Sequence, residues 1–168
     1  MTTAIVVGNP KRDSRTLDAA RRLHHDLLGA EADLVLELPD LGSGLLGWGD
    51  PEVARAVGAV RTSSLVIVAS PTFKATYSGL LKLFLDQFPG GEGLRGTVAV
   101  PLMLGAGPAH ALAPDLLLKP VLVELGAVTP APGLYLSDAT YADDGAIGRY
   151  VERWGTSLRD ARQSLEGR

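Results

Sequence analysis

A short polar and basic stretch follows the first apolar run of the chain, Ala4-Ile5-Val6-Val7-Gly8. Ser14 or Asp13 is suited to cap the helix that the pattern predicts next, so the free N–H groups of its first turn point back into the stretch. Backbone amides, hydroxyls and cations together suit a phosphate monoester. The alternative is a capped helix start with solvated charges. We predict phosphate binding by the hydroxyl and basic residues here: Lys11, Arg12, Ser14, Arg15 and Thr16.

Two familiar nucleotide motifs do not explain this chain. The stretch after Gly8 lacks the Gly-Lys-Ser/Thr of a Walker loop, so neither magnesium nor nucleotide hydrolysis is predicted. The segment 42–47 satisfies G-x-G-x-x-G literally, but Pro39-Asp40-Leu41 separates it from the preceding strand and Trp48 to Pro51 follow it instead of a helix. We therefore expect no dinucleotide fingerprint there.

A second candidate loop, from Ser70 to Gly79, follows another apolar run. It is rich in small residues and carries one aromatic side chain, Phe73. Such a loop can lay backbone N–H groups along the edge of a flat heterocycle. Read by itself, however, it is better explained as a plain loop that leads into a helix start at Ser78.

The elements that position these loops alternate between short strands and longer helices. Apolar runs predict strands near 4–7, 33–38, 65–69, 97–104 and 128–136, the last interrupted by Pro130 and Pro132. Helical spacing predicts helices near 14–28, 51–60, 79–88, 109–125 and 144–165, the fourth bent at Pro114 and Pro120. This alternation predicts an α/β fold, a doubly wound five-stranded parallel sheet of order 2-1-3-4-5 with helices on both faces. The loops after strands one and three then meet at the switch point, where ligands bind.

Composition limits the classes of function. The 168 residues suit one domain, 1–168, and 46% hydrophobic with 21% charged residues is typical of a globular protein. A net charge of −3 offers no basic face, so we expect neither nucleic acid nor a membrane as partner. The absence of cysteine excludes disulfides and thiolate chemistry and fits a reducing compartment. No apolar run is long enough to span a bilayer and no signal peptide is evident, so a cytoplasmic location is expected.

Two motifs carry a resemblance to a known family. Gly8-Asn9-Pro10-Lys11 with Ser14-Arg15-Thr16 is similar to a Gly-Ser-Pro-Arg…Ser-x-Thr/Ser phosphate loop. The segment from Pro71 to Lys82, with Asp86, is similar to a Pro-x-Tyr-x-x-x-Tyr-Ser-Gly-x-Leu-Lys…Asp segment. Both belong to NAD(P)H-dependent FMN reductases, which have a flavodoxin-like fold. The resemblance runs from about residue 5 to 126 and is strongest to FMN reductases of two-component alkanesulfonate monooxygenase systems.

The resemblance implies an enzyme that transfers hydride from NADPH or NADH to the flavin N5 of FMN, with most of the catalysis coming from positioning. It implies no side chain acting as acid or base and no metal. Asn9, Lys11, Ser14, Arg15 and Thr16 would hold the FMN phosphate. The ring would lie against the backbone of Pro71, Thr72, Phe73, Lys74 and Ala75, with Gly105 and Gly107 at its other edge. His110, at a predicted helix start nearby, contacts the cofactor or caps the helix.

The resemblance also implies partners. Members of the family form homodimers or homotetramers, and the apolar helices near 80–88 and 112–125 suit such an interface. A flavin-dependent monooxygenase is the further partner that a two-component system implies.

Departures from the family pattern leave alternatives open. Asn9 and Lys11 replace the usual Ser and Arg, and Phe73 replaces a common Tyr. Leu116 stands where the closest relatives carry Tyr or His. A tightly bound FMN that serves quinone, azo or metal-ion reduction is therefore a second interpretation, and a non-enzymatic FMN-binding electron carrier is a third. His24, in mid-helix, is expected to be at the surface or half-buried.

Overall fold

The computed structural model describes residues 2–166, apart from the side chain of Glu166, and this part of the chain forms one five-stranded parallel sheet. The order is β2-β1-β3-β4-β5, which confirms the predicted doubly wound topology. The strands are β1 (Thr2–Val7), β2 (Leu34–Glu37), β3 (Ser63–Pro71), β4 (Val98–Gly105) and β5 (Leu134–Ser137).

Helices cover both faces of the sheet. They are α1 (Arg15–Leu28), α2 (Pro51–Arg61), α3 (Gly79–Leu85), α4 (Lys119–Glu124) and α5 (Ala146–Glu166). One buried cluster joins the sheet to α2, α3 and α4, and a second joins it to α1 and α5. Strand β1 supplies Ala4 and Val6 to the first cluster and Ile5 and Val7 to the second. Burial on both faces explains why this strand is a continuous apolar run.

The predicted helix 109–125 is wrong as a single element. The structure has a 3₁₀ turn at Pro108–His110, then a π-helical turn at Pro114–Leu118 that leads into α4. The N–H of Lys119 bonds to the carbonyl of Pro114, five residues back. Pro120 has no N–H to donate to the carbonyl of Leu116, so the widened turn replaces regular α-helical bonding there.

The predicted strand 128–136 is also wrong in its extent. Val128 forms only an isolated bridge to Val98, and β5 itself begins at Leu134. Pro130 and Pro132 between them have no N–H for a ladder bond, which explains the interruption. The helix predicted over 79–88 ends earlier, at Leu85.

Two further segments bear on function without lining the candidate site. Residues Leu38–Leu46 form 3₁₀ turns that pack against α2 and α3, so the literal G-x-G-x-x-G pattern is no strand-to-helix loop.

His24 is 1% exposed rather than half-exposed, because both ring nitrogens are bonded inside the fold, to Ala30 O and Thr3 Oγ1. Desolvation lowers the pKa of this histidine. No helix in residues 2–166 is long and apolar enough to cross a membrane.

Candidate functional site

Two adjoining cavities open at the carboxyl edge of the sheet. The first has a volume of about 310 Å³ and the second about 610 Å³, and both are bounded by Thr72, Gly105 and Ala106. The structure places every predicted site residue except Arg12 on them. The first is lined by Asn9, Lys11, Ser14, Arg15, Thr16, Pro71, Thr72, Phe73 and Gly105. The second is lined by Thr72, Lys74, Ala75, Gly105, Gly107 and His110.

The first cavity is built on the start of α1. Ser14 caps this helix, since its Oγ accepts a hydrogen bond from the N–H of Leu17 at 3.3 Å. The N–H of Asp18 bonds to the carbonyl of Ser14. Within the described residues, the amides of Arg15 and Thr16 are thus left at the cavity mouth, at the positive end of the helix dipole. This confirms Ser14 rather than Asp13 as the cap.

Asn9 shapes the loop that leads to this helix. Its Oδ1 accepts a bond from the N–H of Lys11 at 2.9 Å, and its Nδ2 donates to Thr16 Oγ1 at 3.0 Å. Asp13, with a φ of 49°, turns the chain into the helix, and its N–H donates to Glu37 Oε1. The amide side chain therefore braces the loop as well as facing the cavity.

The charges around the first cavity balance. Two cations, Lys11 and Arg15, and two anions, Asp13 and Asp138, line it. Arg15 Nη1 donates to the backbone carbonyl of Asp138 at 2.9 Å, and its Nη2 lies 3.6 Å from the carboxylate of the same residue. Arg12, the third cation of the predicted phosphate loop, pairs with Asp40 at 2.5 Å and does not line the cavity.

The loop after β3 is a tight hairpin. The N–H of Phe73 donates to the carbonyl of Thr76 at 2.8 Å, and the N–H of Thr76 donates back at 3.2 Å. Lys74 and Ala75 between them have φ values of 50° and 73°. Two successive left-handed residues define a type I′ turn, which glycine and asparagine adopt more easily than lysine or alanine. The loop that faces the second cavity therefore stores backbone strain.

Gly8 and Ser78 lock the two loops together. Ser78 Oγ donates to the carbonyl of Gly8 at 2.5 Å, and the N–H of Ser78 bonds to Ser70 Oγ at 2.9 Å. A Cβ at position 8 would lie 2.5 Å from the Cβ of Leu81 on α3. Close packing, and not an unusual φ, therefore requires glycine at the end of β1.

The end of β4 forms another wall of the two cavities, and β5 supports it. The hydroxyl of Tyr135 donates to the carbonyl of Gly107 at 2.7 Å. A Cβ at Gly105 would lie 2.0 Å from that hydroxyl, so only glycine lets the strand end pass beneath it. Thr72 Oγ1, beside Gly105, is a buried polar atom with no hydrogen-bond partner in the described part of the chain.

Asp138 and Tyr135 are two polar lining residues that the sequence prediction missed. Both belong to β5 or follow it directly, and β5 is the strand whose extent was predicted wrongly. The sequence could have indicated them, because the carboxyl ends of all parallel strands meet at one edge of the sheet. The polar residues that follow the last strand are therefore expected near the site.

The segment that follows β5 is fixed against α1. The N–H of Asp138 bonds to the carbonyl of Gly105 at 3.0 Å, and the hydroxyl of Tyr141 donates to Asp18 Oδ2 at 2.8 Å. Burial, and then this bond to Asp18, raises the pKa of Tyr141. Asp138 is thereby held at the rim of the first cavity.

An apolar groove continues from the second cavity along the 108–118 segment. It has a volume of about 410 Å³ and is bounded in part by Ala75, His110 and Leu116. His110 lies in the 3₁₀ turn at the cavity rim, and Leu116 is 65% exposed on the π-helical turn. The position that departs from the family pattern is thus close to the candidate site.

Residues 1–141 match the family model described as NADPH-dependent FMN reductase. The chain belongs to this family. The match covers both loops, the first four strands and β5, and it confirms the membership that the two motifs predicted.

Individual members of the family are similar over parts of the chain. An FMN reductase (NADPH) of Escherichia coli K12 is 45% identical over 78 residues, which are 46% of this chain and 40% of that enzyme. An FMN reductase (NADPH) of Pseudomonas putida is 35% identical over 117 residues, 68% of this chain and 59% of that enzyme. The chain thus spans about half the length of these curated relatives. The crystal structure of an NADH:FMN oxidoreductase (EMOB), in its apo form, superposes with a TM-score of 0.80 at 28% identity, covering 98% of this chain and 90% of that one.

Proposed function

We propose that this chain, as one domain over residues 1–168, is a cytoplasmic NAD(P)H-dependent FMN reductase. The observation that carries the proposal is the pairing of two unlike loops at one sheet edge. One presents helix amides, hydroxyls and cations, and the other presents strained backbone beside a larger cavity. A phosphate ester joined to a flat ring system matches this pairing.

The phosphate end of FMN fits the first cavity. The amides of Arg15 and Thr16, the hydroxyl of Ser14 and the ammonium group of Lys11 all border it. Because Ser14 Oγ is an acceptor towards Leu17, its own proton can be donated into the cavity. These groups orient the cofactor through its charged end.

The ring end of FMN fits the second cavity. Thr72, Lys74 and Ala75 border one side, and Gly105 and Gly107 border the other. The unpartnered Thr72 Oγ1 lies where the two cavities join, which is where a polar ligand group would satisfy it. Bound FMN supplies a group that accepts hydride from a reduced nicotinamide. These residues would hold the ring edge, and His110 lines the same cavity.

Both nicotinamides remain candidate donors. The relatives above include enzymes described as NADPH-dependent and as NADH-dependent. His110, at the rim of the ring cavity, is placed to contact the nicotinamide.

The test is anaerobic oxidation of NADPH and of NADH, each with and without added FMN, after the absorption spectrum of the purified protein is recorded. The proposal expects oxidation of at least one nicotinamide that depends on FMN. No oxidation of either under any flavin condition would contradict it and would favour the electron carrier.

The same measurement separates the second interpretation. A colourless protein that free FMN stimulates acts as a flavin reductase, and it could supply a flavin-dependent monooxygenase with reduced flavin. A yellow protein that is indifferent to added FMN is instead a quinone, azo or metal-ion reductase with FMN as a prosthetic group.

We also infer that the enzyme is a homodimer or homotetramer. Large apolar side chains are exposed along the 112–123 segment, which borders the candidate site. They are Leu112 (64%), Leu116 (65%), Leu117 (40%) and Val123 (52%). Clustered exposure of this kind is typical of a surface that a partner covers.

Light scattering after gel filtration should give a multiple of the chain mass, and Leu116→Glu should shift the measured mass towards that of the monomer. A monomeric parent protein would refute the inference.

A further inference from the structure

The wall of the first cavity, which is proposed to bind the phosphate, holds a carboxylate that the proposed function does not explain. Asp138 lines the first cavity together with Lys11, Arg15 and Asp13. A phosphate monoester is close to doubly charged at neutral pH. A cavity that binds such an anion tightly would be expected to carry a clear excess of positive charge, and this one has equal numbers of cations and anions.

The carboxylate is not needed to position Arg15. The short contact of this guanidinium, 2.9 Å, is to the backbone carbonyl of Asp138, whereas its Nη2 lies 3.6 Å from the carboxylate oxygen Oδ2. The backbone of Asp138 is itself tied to β4 through the carbonyl of Gly105. Replacing the carboxylate by an amide therefore leaves Arg15 in place and removes only the charge.

The backbone that carries this carboxylate is fixed beside the cavity. Tyr141, three residues on, is buried and bonded to Asp18 of α1, so the segment is fastened on both sides of the cavity rim. The side chain of Asp138 is 32% exposed, which limits the screening of its charge by solvent.

We propose that Asp138 is a specificity-determining residue that weakens the hold of the cavity on the FMN phosphate and so keeps the flavin exchangeable. Its charge partly neutralises Arg15 and repels the phosphate. The consequence is a flavin that leaves as product, in contrast to a permanently bound group. This inference rests on the proposed function and adds the reason why FMN behaves as a substrate.

The experiment compares FMN with riboflavin, which has the same ring and no phosphate. Dissociation constants are measured for the parent protein, Asp138→Asn and Asp138→Glu, at low and at high salt. Asp138→Asn should bind FMN about three- to tenfold more tightly at low salt, and this gain should shrink at high salt. Riboflavin affinity should change by less than about twofold, since it presents no charge to the carboxylate. Asp138→Glu, which retains the charge, should stay close to the parent protein.

Asp143→Asn is the matched control, because it removes the same charge from an exposed position of the same segment that does not line the cavity. Its FMN affinity should equal that of the parent protein. Unchanged or weaker FMN binding by Asp138→Asn, or an equal gain for riboflavin, would overturn the inference while the reductase proposal stands. A parent protein that binds no FMN at all would overturn both.

Discussion

The loops after β1 and β3 face the same pair of cavities but are built by different means. The first, residues 9–16, is a network of side chains in which Asn9, Ser14 and Arg15 each make a specific hydrogen bond. The second, residues 72–76, is held by backbone bonds between Phe73 and Thr76 around two left-handed residues. One loop presents charge and hydroxyls, and the other presents peptide groups.

This difference separates two kinds of recognition. We propose that side chains and helix amides select the phosphate, so substitutions in the first loop should distinguish FMN from riboflavin. In the same proposal, backbone geometry selects the ring that both flavins share, so changes in the second loop should affect them equally. Gly8 and Ser78 join the loops, so changes at this junction should disturb both.

The largest effect is expected at the junction, for Gly8→Ala. The added Cβ would lie 2.5 Å from the Cβ of Leu81 and must displace α3. We expect the free energy of unfolding to fall by about 1–3 kcal/mol, because overpacking is costly in a closed site. Affinities for FMN and riboflavin should fall together. Urea unfolding and flavin titration measure these changes.

Gly58→Ala is the control for this substitution. Gly58 lies inside α2, and a Cβ there meets nothing within 4 Å. The free energy of unfolding should rise by about 0.5–1 kcal/mol, because alanine favours a helix interior over glycine. If Gly8→Ala behaved like Gly58→Ala, the junction would not be the tight contact described above.

The second prediction concerns the first loop alone, through Ser14→Ala. Loss of a hydrogen bond to a charged group, about 1.5–3 kcal/mol, should weaken FMN binding about tenfold or more. Riboflavin affinity should be nearly unchanged. Loss of the helix cap should also lower the free energy of unfolding by about 1 kcal/mol.

Asp50→Ala removes the cap of α2, where Asp50 Oδ1 accepts from Glu52 and Val53. It should cost similar stability without changing the ratio of FMN to riboflavin affinity. A Ser14→Ala protein that kept this ratio would show that the phosphate does not bind at α1.

The smallest effects are expected in the second loop, at Ala75. Ala75→Gly should raise the free energy of unfolding by about 0.5 kcal/mol, because relief of left-handed strain exceeds the added chain entropy. Ala75→Val should lower it by about 1 kcal/mol, since a branched side chain tolerates a φ of 73° poorly. Both should change FMN and riboflavin affinity by the same factor. A change confined to FMN would assign the phosphate to this loop.

The sequence predicted the parts of this molecule that depend on local pattern. The apolar run of β1, a cap of α1 at Ser14 or Asp13 and the order of the sheet follow from spacing and alternation, and the structure confirms them with Ser14 as the cap. The grouping of both loops at one edge follows from the topology. Their motifs also indicated the family, and the family match confirms it.

Features that depend on tertiary contacts could not be predicted in this way. The pairing of Arg15 with Asp138 joins residues 123 positions apart. The left-handed turn at Lys74 and Ala75 carries no glycine to indicate it. The widened turn before α4 depends on how Pro114 and Pro120 are accommodated, which helical spacing alone does not reveal.

The most direct test of this account is a crystal structure of the chain grown with FMN. The account predicts the phosphate within hydrogen-bond distance of the Arg15 and Thr16 amides and of Ser14 Oγ. It predicts the ring edge against the backbone of Thr72 to Ala75. FMN bound in the opposite direction, or at another edge of the sheet, would contradict the proposal that the first loop binds the phosphate and the second loop binds the ring.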